Sequence, residues 1–236
     1  MAVRIRHHVN PLRPALRNIA PARLDLAALG TGLPDAPMDV ELGCADAQFL
    51  FQLAAQDRST NYIGVEIRQA LVDDVNRRAS EAGLPHLRAV FAHINIDLPS
   101  LFAGHRVRRF YINFPDPWFK RAQHNRRIVT PELACELAQL IAPDGEIFFQ
   151  SDVFDLALDA LAVLEAEPTL RNAHEEWRFW GPSPYPAQSL REERVTASGL
   201  PVWRMLFVRR DAPATRLRRL PTPGLLRSSA PMAPAP

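Results

Sequence analysis

The chain is poor in the features that would announce a specialised environment. Two cysteines, Cys44 and Cys135, occur in 236 residues. Neither stands in a Cys-x-x-Cys or a Cys/His cluster, which excludes a disulfide framework and argues against a structural zinc site, so no metal is expected. Both cysteines read as buried small apolar residues. No uninterrupted apolar run approaches the about 18 residues of a membrane span, and the start lacks the three regions of a secretory signal. No membrane partner is therefore expected, and the expected address is cytoplasmic. Lysine is almost missing, Lys120 being the one lysine among 28 Lys+Arg. In a composition that so favours arginine, a compact ammonium at that place suggests a role the planar guanidinium would not fill.

What is present is an ordinary globular balance, 47% apolar and 23% charged, with its charge segregated. Residues 1 to 23 carry five arginines and no acid, and with Pro11, Pro14 and Pro21 they read as a basic extended arm. Residues 211 to 236 hold four arginines, one aspartate and six prolines without helix or strand period, the signature of a disordered tail. Residues 24 to 210 between them are acidic overall and read as one domain. Within that acidic body lies one basic island, Arg106 to Arg127, with seven cations against the single acid Asp116. Such a concentration is a candidate phosphate-contact surface.

Short β-branched or aromatic runs alternate with helical patterns through the domain. Strands are expected over Asp39–Gly43, Tyr62–Ile67, Leu87–Ala92, Arg109–Phe114 and Glu146–Gln150. Helices are expected over Ala47–Ala55, Arg68–Ala82, Thr130–Ile141 and Phe154–Ala166, the third with Thr130 as cap and Pro131 at its first position. A βαβαβ series means an α/β fold with a doubly wound, mostly parallel sheet, and Leu200–Val208 reads as a late antiparallel strand.

In such a sheet ligands bind beyond the carboxyl ends of the strands. The first strand ends in Glu41-Leu-Gly-Cys-Ala-Asp-Ala47 and the second in Gly64-Val-Glu66, placing an acid 23 residues after Gly43. A carboxylate there suits a pair of ribose hydroxyls. Two cofactor classes fit: a dinucleotide, or the sulfonium S-adenosylmethionine. A pyrophosphate normally needs three glycines, and this turn keeps Gly43 alone, with Ala45 and Ala47 following. Glu41 would repel phosphate and attract the cationic amino-acid end of S-adenosylmethionine.

The stretch Tyr111-Ile-Asn-Phe-Pro-Asp-Pro-Trp-Phe-Lys-Arg-Ala-Gln-His-Asn-Arg-Arg127 is the most informative. Two prolines around Asp116 stiffen the loop and present Asp116 and Trp118 in a set direction at a strand end. The motif Phe114-Pro-Asp-Pro-Trp118 and its following Lys/Arg/His run resemble the bacterial tRNA (guanine-N7-)-methyltransferases. These are class I enzymes that use S-adenosyl-L-methionine to methylate guanosine 46 of the tRNA variable loop. The resemblance spans about residues 38 to 209, and Arg6-His-His-Val-Asn-Pro-Leu12 is similar to the start of some members. It implies a Rossmann-like class I methyltransferase fold with seven strands and a tRNA partner; as an assembly, a monomer or homodimer is expected. It places Glu41, Glu66 and Asp116 at cofactor contacts beside Gly43, makes Asp116 the catalytic residue, and puts Lys120, Asp152, Ser189 and Glu192 at substrate contacts.

The chain departs from the family pattern at three places. Ala45 and Ala47 stand where glycine is usual, and alanine resists positive φ. The acid expected after the third strand is His93, with Asn95 nearby, and either suits an adenine edge. The late Thr-x-Phe-Glu-x-Arg is Ser189-Leu-Arg-Glu-Glu-Arg194. Read from its residues alone, Asp152 also suits a helix cap, and Glu192 with Arg194 a surface ion pair. Asp116 either stabilises charge on a purine or grips its N1–H and N2–H edge. The alternatives in other classes are a noncatalytic RNA-binding relative and a nicotinamide-dependent reductase.

Overall fold

The computed structural model describes residues 9–12 and 35–211. Most of the arm, residues 24 to 34 of the expected domain and all but Asp211 of the tail lie outside the described residues. Among the described residues seven strands form one sheet: β1 (Met38–Leu42), β2 (Asn61–Glu66), β3 (Leu87–Phe91), β4 (Val107–Asn113), β5 (Ile141–Ser151), β6 (Leu170–Asn172) and β7 (Trp203–Arg209). Their order is β3-β2-β1-β4-β5-β7-β6. The first five are parallel, and β7 runs antiparallel between β5 and β6.

Among the described residues six α-helices accompany the sheet: α1 (Gln48–Gln56), α2 (Gln69–Glu81), α3 (Ile94–Leu101), α4 (Pro131–Leu140), α5 (Phe154–Ala166) and α6 (Leu190–Ala197). Alternation along the strands divides the core. Phe110, Ile112, Ile147 and Phe149 face α3, α4 and α5, whereas Tyr111 and Phe148 face α1 and α2. The α4 start forms as its sequence dictates, with Thr130 Oγ1 accepting the Leu133 amide at 3.2 Å and Pro131 in the first turn.

Four elements escaped the sequence reading: α3, β6, α6 and a 3₁₀ turn over Arg121–Arg126. The α3 segment carries Pro99 in its interior, and β6 is three residues long, so neither shows a period long enough to count. One cysteine expectation is corrected. Cys44 is buried, but Cys135 is exposed, because α4 buries Leu133, Ala134, Leu137 and Ala138 and turns position 135 outward.

Candidate active site

The turn after β1 sets the floor of the site. Gly43, Ala45 and Ala47 have φ of 79°, 50° and 56°, so both alanines adopt the left-handed backbone that glycine would take at lower cost, roughly 1–2 kcal/mol each. Backbone bonds hold the turn: Gly43 N donates to Val65 O at 2.8 Å and Ala47 N to Cys44 O at 2.7 Å. Ala45 N donates to Glu66 Oε2 at 3.0 Å, which locks the β1 turn to the tip of β2. The buried methyl of Ala47 offsets part of the strain.

A cavity of about 730 Å³ opens at this carboxyl edge of the sheet, within the usual size of a small-molecule site. Glu41, Gly43, Glu66, His93, Asn95 and Asp116 all line it, as do Trp118 and Ser189. The sequence-expected cofactor set is thus brought together. Glu41 is buried; Asn113 Nδ2 donates to its Oε1 at 2.7 Å, and Oε2 has no partner among the described residues. Burial pushes the Glu41 carboxyl up to about 8, with Asp46 and Glu66 adding to the rise and the Asn113 bond opposing it. An orphaned buried carboxylate oxygen on a cavity wall fits a cationic ligand group.

Glu66 is differently placed. Its Oε1 accepts from the Ile67 and Arg68 amides at 2.9 and 3.0 Å, and Arg68 grips the carboxylate from Nε at 2.8 Å and Nη2 at 2.9 Å. Arg68 therefore occupies acceptors that ribose hydroxyls would use. The Arg68 guanidinium is held above its usual value by that hydrogen bond first, and the charge of Asp116 adds to the effect. After the neighbouring strand β3, His93 Nε2 lies 2.8 Å from Pro11 O, while Nδ1 has no partner among the described residues. Asn95 Nδ2 donates to Ile128 O at 3.0 Å. Val9 and Pro11, the described part of the arm, also line the cavity.

Asp116 sits on a strained loop. Phe114 and Trp118 both have positive φ, 48° and 43°, unusual for bulky side chains and concentrated where function is. The strain is held from three sides. Phe114 N donates to Gln150 O at 2.8 Å, the Arg126 guanidinium lies 5.0 Å from the Trp118 ring centroid, and buried Arg127 donates from Nε to Pro117 O at 3.1 Å while pairing with Asp159 on α5.

The expected substrate residues scatter. Ser189 lines the cavity but its hydroxyl caps α6, accepting Glu192 N at 3.2 Å. Asp152 is no helix cap; it pairs with Arg191 of α6, which itself lines the cavity. Lys120 is exposed and outside the cavity wall. Glu192 is fully buried and pairs with Arg204 at 2.7 Å, which corrects the expectation of a surface pair with Arg194. The basic island is also corrected as a single surface. Arg108 and Arg109 lie at the amino end of β4 and pair with Asp39 and Glu146, whereas Lys120, Arg121, Arg126 and Arg127 follow its carboxyl end, about 20 Å away along the strand. Arg191 and Arg194 of the late motif also line the cavity, whereas Arg68 on the same wall was missed, since an arginine beside a strand tip carries no signal in a chain this rich in arginine.

The fold is shared with a solved structure. The 16S rRNA methyltransferase KamB superposes with a TM-score of 0.56 at 14% identity, over 81% of this chain and 96% of that one. The fold is that of the class I methyltransferases. Residues 35–205 match the family model described as "Putative methyltransferase". The tRNA (guanine-N(7)-)-methyltransferase of Thermosynechococcus vestitus is 36% identical, covering 89% of this chain and 96% of the relative. That of Synechococcus elongatus is also 36% identical, covering 89% and 98%. The chain belongs to this tRNA (guanine-N(7)-)-methyltransferase family.

Proposed function

We propose that the protein transfers a methyl group from S-adenosyl-L-methionine to N7 of a guanosine in tRNA, at position 46 of the variable loop. One observation carries the reading: Asp116, on a strained and clamped loop, lines the same cavity as Glu41, Gly43 and Glu66. S-adenosyl-L-methionine supplies an electrophilic methyl on a sulfonium. The residues fit it: Glu41 Oε2 receives the ammonium end, Glu66 the ribose once Arg68 swings aside, and His93 Nδ1 with Asn95 the adenine edge. Guanine N7 is an unprotonated acceptor, so no general base is required and positioning dominates. Asp116 faces the purine with negative charge as positive charge grows on it. Lys120, Arg121 and the arm supply phosphate contacts on the outer rim, with Asp152 and Ser189 holding the wall beside the substrate. The left-handed turn survives both alanines, so the feature that motivated a noncatalytic relative does not favour one.

The test is incubation with methyl-labelled S-adenosylmethionine and an unmodified tRNA transcript, followed by mapping of the label. Label at N7 of one variable-loop guanosine is expected, and Asp116→Ala should lower turnover at least 100-fold with tRNA affinity within about threefold. Label elsewhere, or undiminished transfer by the variant, overturns the assignment.

A further inference from the structure

Glu41 is tied to the far half of the sheet by an unbroken run of hydrogen-bonded polar side chains, buried except for the half-buried Asn113. Asn113 Nδ2 donates to Glu41 Oε1 at 2.7 Å. Gln150 Nε2 donates to Asn113 Oδ1 at 3.0 Å and to Glu192 Oε2 at 2.9 Å. Arg204 closes the run, donating from Nε to Gln150 Oε1 at 3.0 Å and from Nη2 to Glu192 Oε1 at 2.7 Å. Gln150 and Glu192 are fully buried, and Arg204 is 8% exposed.

Donor and acceptor roles along the run are dictated from its far end. A guanidinium only donates and a carboxylate only accepts. Arg204 therefore turns the Gln150 carbonyl toward itself, and Glu192 draws the Gln150 NH₂ group the other way. That NH₂ also meets Asn113, which fixes the Asn113 oxygen toward Gln150 and its NH₂ toward Glu41. With the Asn113 amide reversed, a carbonyl oxygen would face the carboxylate and repel it. A network of this kind, buried over most of its length and satisfied at both amides, holds one arrangement strongly.

We infer that Asn113 and Gln150 are positioning residues for the cationic end of the cofactor: two amides, oriented by the buried Glu192–Arg204 pair, aim Glu41 at the cavity and leave its Oε2 free for the ligand. The inference rests on the reading that Glu41 receives that end. It makes Glu192 of α6 and Arg204 of β7, neither of which lines the cavity, act on cofactor affinity.

S-adenosylhomocysteine carries the same ammonium end and cannot transfer a methyl, so it is the probe. Its affinity is measured by calorimetry from pH 6 to 9 for the wild type, Asn113→Ala and Gln150→Met, each checked by thermal melting. The other groups acting on Glu41, namely Asp46 and Glu66 and the neighbouring Cys44 thiol, stay unchanged, as does Arg68. Asn113→Ala should weaken binding roughly 10- to 100-fold, the size of one hydrogen bond to a charged group, and Gln150→Met roughly 3- to 10-fold. Both should move the pH of tightest binding upward, because Glu41 loses a donor that favours its charged form in Asn113→Ala and the fixed aim of that donor in Gln150→Met. A wild type that does not bind the probe overturns the reading of Glu41. Binding by the wild type with an unaltered affinity in the variants, or weakening by the same factor at every pH, overturns the relay. Should Asn113→Ala melt early, Gln150→Met carries the same test, since it leaves Glu41 and all its neighbours in place.

Discussion

Burying Glu41 with one oxygen unpartnered has a cost that pH reveals. Its carboxyl stands at about 8 in the folded protein against an ordinary 4.5, so between those values the folded state holds a proton that the unfolded chain has released. The sign follows: the contribution to stability is fully present below pH 4.5 and is lost as pH rises toward 8, a decline on the order of several kcal/mol. Glu41→Gln, which keeps the shape and needs no proton, should flatten that decline and leave the ligand-free protein more stable than the wild type at pH 8. Urea denaturation at pH 5 and pH 8 reads the difference; parallel stability curves for the two proteins would show that Glu41 is already ionised in the fold. The same variant should bind S-adenosylhomocysteine at least tenfold more weakly, the trade between stability and function common at binding sites.

At the scale of elements, the loop from Phe114 to Trp118 matters through what restrains it. Two bulky residues with positive φ persist only because neighbours over-determine them. Arg127 is the neighbour best placed for this, since its guanidinium joins Pro117 O to Asp159 of α5 while touching no part of the cavity wall. Arg127→Met should lower turnover at least tenfold and change S-adenosylhomocysteine affinity less than about threefold, a split that steady-state kinetics beside calorimetry resolves. Equal turnover in a folded Arg127→Met would assign the loop's rigidity to its prolines and to the Gln150 and Arg126 contacts. This loop also marks the limit of sequence reading. The five strands that precede helices, their parallel sense and the tips bearing Glu41, Glu66 and Asp116 were readable because an apolar run, a helical period and a proline motif are local signals. Gln150 and Arg204 gave none. They sit in strands as ordinary residues and become a network only once β5 and β7 pair antiparallel, with Gln150 opposite Arg204. The α6 helix was missed for a similar reason: Glu192 and Val195 are its buried residues, one of them an acid buried by tertiary pairing, so its charged sequence reads as surface.

Over the whole molecule the sheet separates two sets of cations that are contiguous in sequence. At the amino edge Asp39, 1% exposed, receives Arg108 through two bonds of 2.7 and 2.9 Å and the Tyr111 hydroxyl at 2.9 Å. Arg109 adds a bond to Glu146 at 2.9 Å, which Tyr185 also reaches. These arginines neutralise the buried Asp39 and the half-buried Glu146, so their charge belongs to the fold. At the carboxyl edge Lys120 and Arg121 stand exposed beside the cavity mouth, next to Phe119 at 74% exposure. Their charge is free to meet phosphate, and the affinity they give should fall with salt. The two edges should therefore separate under mutation. Arg108→Ala should cost about 2 kcal/mol of stability, since Asp39 loses two charge-assisted bonds and keeps only Arg109 at 3.5 Å and the Tyr111 hydroxyl, and should leave the affinity for tRNA, measured well below the melting temperature, unchanged. Lys120→Ala with Arg121→Ala should leave stability within about 0.5 kcal/mol, weaken tRNA binding, and reduce the slope of log affinity against log salt by about one for each phosphate the two side chains would have neutralised. Filter binding across a salt series gives that slope. A loss of tRNA affinity in Arg108→Ala equal to that of the carboxyl-edge pair would mean that the RNA wraps across the sheet to its amino edge, and that the division made by β4 is not the one the substrate sees.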